Sequence, residues 1–229
     1  VFRKLKREHM SLWIESIGAV HTIEQTLDLK HFNYSSDLSV IGIDEAGRGP
    51  LAGSVVAAAV ILPSSFKIEG LTDSKKLSEK KRNALYQQIT QHCCWSIGEA
   101  SSVEIDELNI LKATMLAMKR AVINLDKDNL VNYKSTNYRV LVDGNCCPDV
   151  PNCKPIIKGD LTVPVISAAS IIAKVSRDRK MQELDSRYPE YGFAKHKGYG
   201  TKAHLLALSK YGAVEGVHRY SFAPVRDIN

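Results

Sequence analysis

Two apolar runs joined by one short polar turn restrict this chain more than any other feature. Val40-Ile41-Gly42-Ile43 reads as a buried strand, Asp44 to Pro50 as a glycine-rich polar turn, and Gly53 to Leu62 as a second apolar strand. A connection this short predicts antiparallel neighbours. Further along, Ser78 can cap a helix through about His92, with Leu85, Tyr86 and Ile89 on its inner face, and Cys93 to Ala100 follows as a third strand. Leu108, Leu111, Met115, Met118, Val122 and Leu125 recur at helical spacing and predict an amphipathic helix.

Tyr138 to Asp143 is another strand, Gly144 to Cys153 a loop, and Lys154 to Ile157 a short strand. Ser167 to Tyr188 then reads as a long helix, with Ile171, Ile172 and Val175 inward and Lys174, Arg177 and Arg179 decorating the rest. Thr201 to Lys210 is a last helix before a loose C-terminal tail. Strands followed by helices indicate a single α/β domain, a mixed sheet with flanking helices, over residues 38–229. Residues 1–37 lack a clear period and read as a poorly specified N-terminal extension.

Charge decides less than its placement does. The net charge is 31 − 25 = +6, and half of it comes from Arg3, Lys4, Lys6 and Arg7 set against Glu8. The apolar run Val55 to Leu62 is far shorter than the roughly 18 residues of a membrane span. No apolar h-region follows the basic opening residues, so the expected compartment is the cytoplasm. Five cysteines, Cys93, Cys94, Cys146, Cys147 and Cys153, form no C-x-x-C pair and are expected to be reduced thiols.

Two strands end alike: Val40 to Ile43 runs into Asp44-Glu45, and Val140 to Val142 runs into Asp143-Gly144. Carboxylates brought together repel one another and raise their own pKa values unless a cation neutralises them. An all-oxygen set suits Mg²⁺ or Mn²⁺, whereas zinc would want His or Cys nearby. Phosphodiester hydrolysis is the implied reaction class. Lys75 and Lys76, the Lys80-Lys81-Arg82 run, and Lys195, Lys197 and Lys202 supply basic patches for phosphates, with Arg48, Ser74 and Lys75 the individual candidates.

The heptapeptide Asp44-Glu45-Ala46-Gly47-Arg48-Gly49-Pro50 closely resembles the first motif of the ribonuclease HII family. Leu71-Thr72-Asp73-Ser74-Lys75-Lys76-Leu77, Asp143-Gly144-Asn145, Lys158-Gly159-Asp160, Ile166 to Val175, and His196-Lys197-Gly198-Tyr199-Gly200-Thr201 resemble further family motifs in family order. The resemblance extends from residue 38 to about residue 223. Ribonuclease HIII shares the fold and acids but has an N-terminal substrate-binding domain and a different glycine motif. The 37 residues before the first strand and the G-R-G form completed by Arg48 favour HII.

The resemblance implies a ribonuclease H-like fold, with a five-stranded mixed sheet, helices on both faces and a C-terminal helical segment. It implies an endonuclease acting on RNA–DNA hybrids and on duplex DNA containing ribonucleotides, with Mn²⁺ or Mg²⁺ as cofactor and a monomeric state. The four acidic ligands map onto Asp44, Glu45, Asp143 and Asp160, with Asp44 bridging, Glu45 and Asp143 forming one ligand set, and Asp160 holding the second ion. In the implied mechanism one ion generates a hydroxide-like nucleophile and the other stabilises the leaving oxygen, roughly 3.5–4 Å away. The products carry 5′-phosphate and 3′-hydroxyl ends. Gly47-Arg48-Gly49 becomes the ribose reader, and Tyr199 packs against the same sugar. Asp44 and Glu45 share a site only if their strand bends or ends there, and Gly47 offers the break.

Overall fold

The computed structural model describes residues 39–63, 68–127 and 138–228, so the N-terminal extension lies outside the described residues. The two apolar runs form β1 (Ser39–Ala46) and β2 (Val55–Ile61), paired antiparallel from Gly42 against Val60 to Ala46 against Val56. β3 (Cys94–Ala100) extends the sheet beyond β2, again antiparallel. On the other side β4 (Tyr138–Asp143) and β5 (Cys153–Ile156) add in parallel, giving the order β3-β2-β1-β4-β5. Pro155 sits in β5, the sheet edge, where its missing N–H costs no ladder bond. The mixed five-stranded sheet expected from the sequence is present.

Helices cover both faces. α1 (Glu79–His92) starts at Ser78, whose hydroxyl accepts from the Lys81 N–H. α2 (Ser102–Leu108) carries a capping box between Ser101 and Glu104, and α3 (Ile110–Lys127) follows. The single helix expected through Leu108 to Leu125 is therefore two. Asn109 takes a left-handed φ of 71° between them, and its side-chain oxygen accepts from the N–H groups of Leu111 and Lys112. α3 buries Ala113, Ala117, Met118, Ala121, Val122 and Leu125 against Ile41, Ile43, Val140 and Val142 on one sheet face.

The opposite face holds α5 (Pro164–Arg187), entered from the short α4 (Gly159–Thr162). Pro164 occupies the first turn, where its missing N–H removes no helical bond. Ala168, Ala169, Ile172 and Ala173 pack on Ala58 and Val60, with Leu85 and Ile89 of α1 alongside. Gly42 lets α5 approach β1 closely, since a Cβ there would overlap the Val165 backbone.

A third layer closes one end of the sheet. α6 (Phe193–His196), α7 (Lys202–Tyr211) and α8 (Ala223–Arg226) gather Tyr191, Phe193, Leu208, Val217 and Val225 around Leu51, Ala52 and Met181. The C-terminal segment is helical as expected but not loose. Residue His218 bridges Ala52, and Arg219 is fully buried. Cys147 and Cys153 form a disulfide, so the expectation of reduced thiols fails for this pair, whose Cα atoms lie 6.0 Å apart. Among the described residues no helix is long and apolar enough to cross a membrane.

Candidate active site

Side chains alternate along a strand, and this alternation assembles the acids. Ile41 and Ile43 of β1, and Val140 and Val142 of β4, enter the core beneath α3. Asp44 and Asp143, one step further along adjacent parallel strands, therefore turn to the α5 side. Asp160 joins them from the first turn of α4, where its N–H donates to Asp143 Oδ1 at 3.3 Å. Asp44, Asp143 and Asp160 each offer a carboxylate oxygen within 4.8 Å of the others.

Burial is the main cause that raises the Asp44 pKa well above the usual carboxylate range, and the charges of Glu45 and Asp143 add to it. Asp160 is raised by burial first and then by Asp143. Such a set of hard oxygens, charged with difficulty and close together, fits a hard divalent cation, which removes the repulsion by coordination.

Glu45 stands apart from this triad. β1 neither bends nor ends at Asp44, because its pairing with β2 continues through Glu45 against Ala57 and Ala46 against Val56. The expected break is absent, and Glu45 lies outside the three acids whose oxygens gather, paired with Arg48 at 3.3 Å but within electrostatic reach of Asp44, Asp143 and Lys75. Burial raises its pKa, with Arg48 opposing.

The helical turn Ser74–Lys76 sits beside the acids. Burial pulls the Lys75 pKa down, but the carboxylates of Asp44, Asp73, Asp160 and Glu45 together outweigh it and leave the ammonium more basic than usual. Ser74 is only 2% exposed, and its hydroxyl accepts from Ser170 of α5 at 2.9 Å, so its side chain forms the wall of the site rather than its surface. Arg82, counted among the basic patches, holds this turn in place by donating to the carbonyls of Ser74 and Leu77.

The glycine-rich turn after β1 is shaped from below by two arginines. Arg219 donates to the carbonyls of Gly47 at 2.6 Å, Arg48 at 2.9 Å and Gly53 at 2.8 Å. Arg177 donates to the carbonyls of Ala52, Ser54 and Lys197. The sequence placed Arg177 on the outer face of its helix, yet it is 2% exposed and Arg219 is 0% exposed. Burial, then the neighbouring Arg177 charge, pulls the Arg219 pKa down to about 9.

A trans peptide sets its N–H opposite its C=O. With the carbonyls of Gly47 and Arg48 turned inward onto Arg219, the N–H groups of Arg48 and Gly49 point outward. Gly47 has φ +98°, and a Cβ on it would run into the Arg177 side chain. Tyr199 is 47% exposed, and a Cβ on Gly49 would lie 3.5 Å from its ring. The turn and the Tyr199 ring thus lie side by side.

Beneath Tyr199 lie three imidazoles that no sequence motif groups. His196 and His204 stack at 4.5 Å, and His204 Nε2 is 3.1 Å from His218 Nε2. Burial first, and then His204, pulls the His218 pKa down to about 4. Burial also lowers His204.

The unfolded chain, with a histidine pKa of about 6.5, takes up these protons first as pH falls. The stabilisation held by His218 is therefore complete above about pH 6.5 and lost progressively toward pH 4. Urea-denaturation midpoints of the wild type should fall across this window more steeply than those of His218→Gln; equal slopes would show that His218 is not the titrating group.

Among the functional candidates that motif reading missed, Arg177, Arg219, His204 and His218 all act through buried bonds to backbone or to one another. Arg177 and His204 lie two or three residues beyond the segments Ile166 to Val175 and His196 to Thr201, whereas His218 and Arg219 fall outside every motif singled out in the sequence.

Residues 41–225 match the family Ribonuclease HII. A Ribonuclease HII of Coxiella burnetii (strain RSA 493 / Nine Mile phase I) is 54% identical over 197 residues, which is 84% of this chain and 92% of that protein. The ribonuclease H2 structure from Pyrococcus horikoshii OT3 superposes with a TM-score of 0.61 at 24% identity, covering 83% of this chain and 97% of that one. Bst-RNase HIII in complex with Mn²⁺ superposes with a TM-score of 0.65 at 18% identity, covering 84% and 69%. These two likenesses carry the fold, and the sequence match carries the family. With acids gathered on one face of two adjacent parallel strands and a family match spanning nearly all of the described residues, the chain belongs to the ribonuclease HII family and is a metal-dependent ribonuclease H.

Proposed function

We propose that this ribonuclease H hydrolyses the RNA strand of RNA–DNA hybrids and also cuts on the 5′ side of a single ribonucleotide embedded in duplex DNA, leaving 5′-phosphate and 3′-hydroxyl ends. The observation that carries this reading is the single surface formed by the Arg48 and Gly49 N–H groups and the Tyr199 ring, directly after the strand bearing Asp44. Outward N–H groups with no side chain at Gly49 can approach a minor groove and donate to a 2′-hydroxyl, the group that separates ribose from deoxyribose. Tyr199 lies flush with the same sugar and checks the step to the following nucleotide.

Asp44, Asp143 and Asp160 would hold the cofactor, with Asp44 shared between two ions and Asp160 on the second. Glu45 completes the set once its contact with Arg48 is given up. Mn²⁺ or Mg²⁺ bound there supplies a polarised attacking water and neutralises charge at the leaving oxygen. Lys75, whose charge already faces these acids, and Arg48 hold the phosphates around the cut. Ser74 contributes by fixing the turn that carries Lys75. The catalytic unit spans residues 38–229 and works as a cytoplasmic monomer, in the repair of ribonucleotides left in DNA.

Three duplexes test this reading: DNA with one ribonucleotide, a continuous RNA–DNA hybrid and DNA alone, each with Mn²⁺, with Mg²⁺ and with EDTA. The expected result is a single 5′ cut on the first, multiple cuts on the second, none on the third, and none with EDTA. Equal cutting of pure DNA would remove the ribose-reading claim.

A further inference from the structure

The two halves of the proposed ribose-reading surface come from distant parts of the chain, and we infer that the dipeptide His218-Arg219 is the clasp that sets their register, a positioning device for substrate discrimination rather than for metal chemistry. This inference rests on the ribose-reading proposal above. Arg219 holds one half: its guanidinium gathers the carbonyls of Gly47, Arg48 and Gly53, and its N–H donates to Leu51 at 2.9 Å. On the other half, the His218 ring reaches Tyr199 through one intermediary.

The hydrogen bonds fix every proton in that path. His218 Nδ1 accepts from the Val214 N–H at 2.8 Å, so a neutral His218 carries its proton on Nε2. That Nε2–H faces His204 Nε2 at 3.1 Å, which must accept. His204 is then left with its proton on Nδ1, and donates it to the Tyr199 carbonyl at 3.0 Å. His196 braces the preceding residue in the same way: its Nδ1 accepts from the Gly198 N–H at 3.2 Å, and its Nε2–H donates to the Tyr191 carbonyl at 2.7 Å. An extra proton on His204 or His218 would set two N–H groups against each other and break the path.

Backbone bonds join the same parts. The Leu51 N–H donates to Gly198 and the Gly53 N–H to Val217, so the glycine turn, the Tyr199 segment and the C-terminal segment form a closed ring of contacts. The acids Asp44, Asp143 and Asp160 take no part in it. A register shift here moves Tyr199 relative to Gly49 while the acid cluster stays put. A misplaced sugar slows the chemical step, whereas phosphate contacts keep binding. The effect therefore belongs in kcat on the embedded ribonucleotide rather than in KM.

The test is a double-mutant cycle on the full chain, comparing wild type, Tyr199→Ala, His218→Phe and the double variant with saturating Mn²⁺. kcat and KM are measured separately on duplex DNA carrying one ribonucleotide. Phe keeps the ring contacts of His218 with Tyr191 and Phe193 and removes both hydrogen bonds.

His218→Phe is expected to lower kcat about tenfold, the scale of one lost buried hydrogen bond, with KM little changed. Tyr199→Ala should lower it at least as far, and the double variant should lose no more than Tyr199→Ala alone. His218→Gln, whose amide can still donate toward His204, should recover part of the loss. Additive losses would overturn the clasp while leaving the ribose-reading surface intact. An unaffected Tyr199→Ala would overturn both.

If His218→Phe does not fold, the wild type decides. Long-range ¹H–¹⁵N correlation at pH 7 should show Nε2–H on His218, Nδ1–H on His204 and Nε2–H on His196. Any other tautomer of His204, or an imidazolium, overturns the path.

Discussion

Asp44→Asn is expected to reduce cleavage of every ribonucleotide-containing duplex by about a thousandfold or more, the rate equivalent of several kcal/mol of lost metal-borne charge stabilisation. The same substitution should leave the metal-free protein at least as stable as the wild type. Asp44 is buried beside Glu45 and Asp143, and these three causes make its charged form costly in the folded state. For an acid with a raised folded pKa, the cost is absent below the ordinary carboxylate pKa and grows as pH rises through the raised value.

At neutral pH the amide escapes that cost. In EDTA the melting temperature of Asp44→Asn should equal or exceed that of the wild type. Added Mn²⁺ should raise the wild-type value and the variant's less, because ligand binding to the folded state alone is what stabilises. Near-normal cleavage by the variant would remove Asp44 from the metal site. A marked drop in its melting temperature in EDTA would show that the carboxylate supports the fold, the opposite sign to the one argued.

Gly47→Ala should damage both stability and activity. Two separate effects meet there: φ +98°, which L side chains rarely adopt, and overlap of the new Cβ with Arg177. Together they are expected to cost about 2–6 kcal/mol, from about 1–3 for the backbone conformation and about 1–3 for overpacking. Displacement of the turn by about 1 Å should also lower kcat about a hundredfold.

Gly144 separates the two effects, since it has φ +104° but nothing within 4 Å of a Cβ. Gly144→Ala therefore reports the conformational part alone. The difference between the two variants in urea-denaturation midpoint measures the collision with Arg177. Equal losses would mean that the arginine yields freely and does not hold the turn.

β1, β2 and β4 were legible because apolar runs bounded by polar turns mark them, whereas β3 is mixed with polar residues and β5 is short as well as mixed. Asp44 and Asp143 were legible because each directly follows an apolar strand run, and Asp160 only through the family motif it sits in; the parallel pairing of β1 with β4 puts the first two side by side. Strand alternation gave warning about Glu45: adjacent residues in a regular strand diverge, and β1 is regular there. Only the sheet pairing decides whether a strand continues, and that is not written locally.

Arg177 and Arg219 were illegible for a related reason. In sequence an arginine reads as solvated, and no local pattern marks these two for burial. Apart from the Lys197 carbonyl, their partners are carbonyls of the Gly47–Ser54 segment, more than a hundred residues away. The division between α2 and α3 was hidden because the apolar spacing carries on across Asn109, whose left-handed backbone makes the break. The cysteine pair depends on a loop folding back onto β5, which residue counting does not disclose.

The contacts of Arg219 reach back 171 residues to Arg48 and 172 to Gly47. A chain made from its N-terminus at about 5–20 residues per second completes the acids' strands well before Arg219 exists. Arg219 follows every acid of the cluster in the chain, so a polypeptide released before it is made keeps Asp44, Asp143 and Asp160 without the bonds that hold the glycine turn.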